Sequence, residues 1–187
     1  LCSAADDPDR SNLGAAQERW LFGELERADA RWNILANPVM LADMNIGTPE
    51  EPQYYRDMWI GYPAARERLL DKVVDAKVPN PVTVTGDWHA SFVLDVQRDP
   101  HGGSPTTVMP EFLVTAISST LFPQDYREHN PQIRYFEARH GYAKVTVTPD
   151  TFECTFCHIE DVWDPDSPVV SRSKWTLADG ETIPSEV

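Results

Sequence analysis

Cysteine is scarce, with three in 187 residues, so no framework of several disulfides staples this fold. Basic residues are scarce too: 16 Lys and Arg face 30 Asp and Glu, a net charge of −14. That balance repels phosphate backbones and excludes nucleic acid as an expected partner. No run approaches the ~18 uninterrupted apolar residues of a spanning helix. The opening LCSAADDPDR lacks the basic-then-apolar order of a signal peptide, so any export signal is expected outside it. Only nine glycines stand against sixteen prolines, which implies many fixed turns. What is present is the material of a core. Hydrophobic content is 41%, with six Trp, six Tyr and seven Phe, above disordered composition, and the length suits one domain at ~100–200 residues each.

Apolar spacing predicts an amphipathic helix from Leu13 to Asp29 through Ala16, Trp20, Leu21, Leu25 and Ala28. A short buried strand, Arg31 to Asn37, then runs into Pro38, and residues 43–61 read as loop. Pro63 opens a second helix to Ala76, which Pro79 and Pro81 stop. Strands are expected at 81–85, 90–96, 108–117, 132–137, 142–149, 151–160 and 168–176, joined by turn signals such as HNP and DPDSP. The class is therefore α/β, strand-rich after residue 80. Its first helix and strand have no preceding partner strand, which marks the first sheet as cut and the chain as half of a domain.

The densest chemistry lies in Val82 to Phe92, VTVTGDWHASF. A strand ends at Gly86 and at once presents Asp87 and His89, a carboxylate and an imidazole two residues apart at a strand end, where open α/β sheets bind ligands. Trp88 between them is expected to point elsewhere. The plainer reading is that Asp87 caps a turn and His89 is an ordinary half-buried histidine.

The segments LGAAQERWL, WNILANPVM, DMWIGYPAARERLL, VTVTGDWHASF, PEFLVTAISS and NPQIRYFEARHGYAKVTVT, in that order over roughly residues 10 to 176, resemble the carboxyl-terminal half of PhoD-like enzymes. These are alkaline phosphatases and phospholipase D-type phosphodiesterases of the calcineurin-like metallophosphoesterase superfamily. The resemblance implies a β-sandwich flanked by helices, with residues 1–187 forming the carboxyl-terminal part of one catalytic domain. It also implies an Fe³⁺ and a divalent ion, Ca²⁺ or Mn²⁺. Asp87 stands where the superfamily's last motif has its first His; by that match Asp87 holds the divalent ion and His89 the iron. The remaining ligands, Asp, Tyr, Cys and Asn, belong to motifs upstream, so the partner implied is an amino-terminal portion of the same enzyme. Where the family commonly has Gln after the WNILAN asparagine, this chain has Pro38, a departure that points to the streptomycete-type phospholipase D branch.

Further candidates follow from residue chemistry. Asp57 is read as a ligand of a second divalent ion and Trp59 as an apolar wall for a lipid-like ester, against the plainer reading of a loop carboxylate beside a core aromatic. His140 is read as a phosphate contact or the proton donor to the leaving group, or else as a turn residue before Gly141. Glu111 and Asn37 rank below these, and His101 and His129 read as solvated loop residues. Cys154-Thr155-Phe156-Cys157-His158 matches the C-x-x-C-H attachment pattern of c-type haem. The surrounding alternation instead predicts an extended strand, which places the two cysteines ~10 Å apart on opposite faces and excludes their mutual disulfide. A bridge from Cys2 stays open. The expected function is a secreted metal-dependent phosphodiesterase cleaving phospholipid head groups, with peripheral membrane contact. Its alternatives are an alkaline phosphatase acting on monoesters and a non-catalytic β-rich binding subunit.

Overall fold

A computed structural model describes Ala5, residues 7–98, Pro100 and residues 105–187; Cys2 and His101 lie outside the described residues. Helix α1 spans Ala15–Glu26, shorter at both ends than the 13–29 expected. Ser11 starts it, its hydroxyl accepting from the Gly14 amide (2.9 Å) and donating to Glu18 (2.7 Å). Strand β1 (Asn33–Ala36), helix α2 (Pro63–Asp75) and strand β2 (Pro81–Thr85) follow. They form one right-sized βαβ unit, with β1 and β2 parallel. Pro63 sits in the first turn of α2, where its missing N–H has no helical partner to lose. Leu69 and Leu70 of α2 are buried, each contributing ~1.5–3 kcal/mol. Arg68 joins the two helices by holding both Glu18 oxygens, at 2.7 and 3.2 Å.

Strands β3 (Ser91–Arg98), β4 (Thr106–Leu113) and β5 (Ile133–Glu137) complete a five-stranded sheet of order β1-β2-β4-β3-β5. Because β2 is parallel to β4, and β3 antiparallel to both β4 and β5, four strands run one way. The carboxyl ends of β1, β2, β4 and β5 therefore release the chain at a single edge. The strand expected over 108–117 stops at Leu113: beyond it the backbone leaves the sheet to bond with residues of that edge. A second sheet, β6 (Gly141–Val147), β7 (Thr151–Ile159), β8 (Val169–Ala178) and β9 (Ser185–Glu186), is an antiparallel meander.

The layers are helices, mixed sheet, antiparallel sheet. Between the sheets, Val82, Val93 and Phe112 meet Phe152, Cys154, Phe156, Trp175 and Leu177, alternate residues of pleated strands. On the other face, Phe92, Leu94, Met109 and Leu113 pack with α2 and the loop Met40–Met44. The α/β sandwich flanked by helices is thus the observed fold. One expectation changes: Trp20 of the amphipathic α1 is 60% exposed. It borders a cavity of about 460 Å³ along α1 and the free edge of β1, lined also by Leu21, Ile34 and Leu41. Cys154 and Cys157 are free and buried, in the extended strand that spacing predicted. Burial pushes the Cys154 thiol up to about 12, which keeps it inert as a nucleophile.

Candidate metal centre

Four loops meet at the shared carboxyl edge: residues 37–46 after β1, 86–90 after β2, 114–122 after β4 and 138–140 after β5. The 86–90 turn has two non-glycine residues in the left-handed region, Asp87 (φ 71°) and His89 (φ 61°). Asp and His tolerate that region better than most residues, yet each such conformation costs about 1–3 kcal/mol and persists only where its surroundings impose it. Trp88 supplies the constraint. Its buried indole has Tyr55, Phe92, Phe122 and Tyr126 packed edge-on around it, with ring centroids 5.1–6.5 Å away. Driving Trp88 inward turns its two neighbours outward. Trp88 does point away from the site, as expected, and its packing is the reason.

His89 is half-buried and its Nδ1 lies 2.5 Å from the Thr120 carbonyl. A carbonyl only accepts, so Nδ1 carries the proton and Nε2 keeps a free lone pair. This is the arrangement of a metal-ligating histidine, whose second ring nitrogen donates to a backbone carbonyl. Phe122 stacks on the same ring at 4.9 Å, and its amide donates to the His89 carbonyl at 3.3 Å. Asp87 is exposed, and its carboxylate accepts no hydrogen bond from the described residues. A free carboxylate and a tautomer-locked imidazole fit a hard and a borderline cation respectively.

His140 reaches the same loop from the other side. Its Nε2–H donates to the Ser119 carbonyl at 2.8 Å, and the next amide, of Gly141, donates to the Ala116 carbonyl at 3.2 Å. His89 and His140 therefore grip consecutive carbonyls of one loop, with His140 Nδ1 left over. Gly141 is required there, because a Cβ would lie 2.0 Å from the Cys157 carbonyl oxygen.

The other candidates are placed elsewhere. Asp57 is exposed on the loop before α2, and Tyr55, two residues back, touches Trp88. Trp59 is 3% exposed within the helix-side core, where packing a large ring against α2 outweighs presenting it to a ligand. Its exposed remainder borders the α1–β1 cavity rather than the Asp87–His89 turn. Asn37 spends its side-chain amide on the Val39 carbonyl at 2.7 Å. His129 is exposed. Among the described residues, no group of three His, Cys, Asp or Glu side chains converges as a metal cluster.

Glu111, a minor candidate by sequence, is central to the loop structure. Fully buried in β4, its carboxylate accepts from the amides of Leu41 (3.0 Å) and Ala42 (2.6 Å) and from the Thr85 hydroxyl (2.5 Å). It thereby ties the 37–46 loop to the residue two before Asp87. Burial raises its pKa, against the pull of those three donors and of Arg66. Arg66, itself buried, donates to the Leu41 carbonyl at 2.7 Å from beneath the same loop. The signal available in the sequence was a lone acid inside the apolar run PEFLV.

The family model of PhoD-like phosphatases matches residues 1–156. This chain belongs to that family. A curated relative, alkaline phosphatase D of Bacillus subtilis (strain 168), is 33% identical over 183 residues, covering 94% of this chain and 31% of the relative. A solved structure of PhoD superposes with a TM-score of 0.90 at 32% identity, covering 98% of this chain and 36% of that one. The PhoD-like chain thus spans about a third of the length of the proteins it matches. The family model carries the name of a phosphatase, and the Bacillus subtilis relative that of an alkaline phosphatase.

Proposed function

We propose that the chain supplies the carboxyl-terminal part of a metal-dependent phosphodiesterase of phospholipase D type, active together with an amino-terminal portion of the enzyme. The observation that carries the reading is the Asp87–His89 turn, with its two left-handed residues and unsatisfied ligand atoms at one loop-lined edge. Asp87 would hold the divalent ion, Ca²⁺ or Mn²⁺, and His89 Nε2 the iron, with Asp57 toward a second divalent ion. Bound ions there supply Lewis-acid activation of water and neutralisation of charge on the phosphoryl oxygens. The chain's own residues orient and shield. Trp88 fixes the ligand turn, Thr120 holds the His89 tautomer, and His140 offers Nδ1 for a proton or a phosphate oxygen. Each such ion needs several protein ligands, more than Asp87, His89 and Asp57 provide. That shortfall supports the upstream partner, for which the free edge of β1 and the apolar α1–β1 cavity offer a docking face.

A diester with an apolar portion is favoured by the side chains beside His89. Phe122 stacks on the ring, and Ile117, in the same loop, is 77% exposed. The second reading, a phosphomonoesterase, is favoured by the name of the Bacillus subtilis relative, an alkaline phosphatase. Hydrolysis of matched mono- and diesters by the protein combined with its amino-terminal portion separates the two. We expect the diester to be preferred; faster monoester turnover under the same conditions selects the phosphatase. Secretion and peripheral contact with lipid belong to the same proposal. The charge of −14 opposes anionic head groups, and bound divalent cations would offset it.

His140→Ala should leave metal content unchanged and lower turnover by roughly 10²–10⁴-fold, the range of a positioned proton donor. A change confined to KM would make it a binding contact. Metal analysis and steady-state kinetics on the same preparation check both.

A further inference from the structure

The haem-like run around Cys154 leaves His158 without a role in the site described so far. In β7, Phe152, Cys154, Phe156 and His158 alternate onto the face that packs against the five-stranded sheet, so His158 is the one polar member of an apolar row. Its ring is 0% exposed and lies parallel to Phe156 at 6.3 Å. Nε2 is 3.0 Å from the Ser91 hydroxyl, across the interface between the two sheets. Nδ1 has no partner among the described residues. Burial lowers the pKa of this ring, so it stays neutral. An apolar side chain would fill the row without that unsatisfied nitrogen, so the histidine calls for an explanation beyond packing.

Its connections supply one. Ser91 opens β3 two residues after His89. On the other side, His158 pairs in register with Gly141, the residue after His140. The Ile159 amide donates to the His140 carbonyl at 2.9 Å. The side chain of His158 thus reaches the first residue of the strand that follows the His89 turn, while its backbone neighbours hold the turn that carries His140.

We propose that His158 is a positioning residue. Its bond to Ser91 sets β3 against β7, and with that the orientation in which His89 and His140 meet the adjacent carbonyls of Thr120 and Ser119. The consequence for metal affinity rests on the metallophosphoesterase reading above; the consequence for the His89 tautomer does not.

The test compares the intact protein with Ser91→Ala, His158→Leu, the double variant and His158→Gln, whose amide nitrogen falls near the position of Nε2. Thermal unfolding, long-range ¹H–¹⁵N NMR of the histidine rings and titration with Mn²⁺ alone, used as a stand-in for the iron at His89, are read on each. Removing both polar groups is nearly neutral for stability, so the double variant should melt close to the parent. Its His89 ring should nevertheless pass from one Nδ1–H tautomer to a mixture, and Mn²⁺ should bind about 10–100-fold more weakly, as for outer-shell partners of metal ligands. His158→Gln should restore the single tautomer. A double variant with the parent's tautomers and Mn²⁺ affinity overturns the proposal. If the double variant does not fold, Ser91→Ala alone decides: unchanged His89 and His140 tautomers overturn it, scrambled ones support it. If the parent binds no Mn²⁺ while Ser91→Ala still scrambles His89, the metal reading fails and this one stands.

Discussion

Replacing His89 with Ala is expected to lower metal occupancy by one ion per molecule and to abolish nearly all turnover of the assembled enzyme. The ring is held by the Thr120 carbonyl at Nδ1 and by the face of Phe122, so Nε2 is presented in one orientation before any ion arrives. Such preorganisation makes the ligand hard to replace by a neighbour or by water. Asp87→Asn should act similarly through the divalent ion, since a neutral amide keeps the shape of the carboxylate and removes its charge. Elemental analysis after dialysis, paired with ester hydrolysis, checks both. Full occupancy in His89→Ala would move the iron to other residues, whatever the kinetics showed. The fold should survive each change, because Asp87 is exposed and Trp88, the packing anchor of the turn, is untouched.

Glu111→Ala should do the reverse, leaving every candidate ligand in place and damaging the fold that presents them. The substitution strands the Leu41 and Ala42 amides and the Thr85 hydroxyl, and leaves Arg66 with one carboxylate fewer beside it. Leaving a buried donor without its acceptor costs about 1–3 kcal/mol for each group, and stability of a domain is commonly only ~5–15 kcal/mol. Urea unfolding of the assembled protein, with the midpoint shift converted through the slope m, should show a loss of at least about 1–3 kcal/mol. A loss below about 1 kcal/mol would mean that water replaces the carboxylate and that Glu111 does not organise the loop. Glu111→Gln separates shape from charge. Its amide must turn one N–H toward a backbone donor, so it should recover less than half of the loss.

The sequence was most legible where local rules act. Pro63 and the spacing of Leu69, Leu70 and Val73 marked α2 closely. The alternation of Phe152, Cys154 and Phe156 marked β7 and removed the haem pattern. Where distant partners decide, it misled. The run 108–117 is apolar enough for a strand throughout, yet the Ala116, Ser119 and Thr120 carbonyls are claimed by Gly141, His140 and His89, so pairing ends at Leu113. Trp59 looked available because it neighbours Asp57 in the chain; the short helical turn Trp59–Gly61 sends the one inward and leaves the other in solvent.

By itself the sequence determined the class, both α-helices, every strand but β9 and the family, and it singled out the Asp87–His89 pair as the candidate, because periodicity, turn chemistry and a short motif are properties of neighbouring residues. Only the tertiary structure decided that four parallel strands end at one edge and that Trp88 forces Asp87 and His89 into left-handed backbone. It alone decided that Thr120 selects the His89 tautomer, and that Glu111 and His158 act from 26 and 67 residues away, on Thr85 and Ser91 respectively. Those are contacts between segments remote in sequence. Each depends on strand order and register, which follow from the burial of the whole core rather than from any stretch of it.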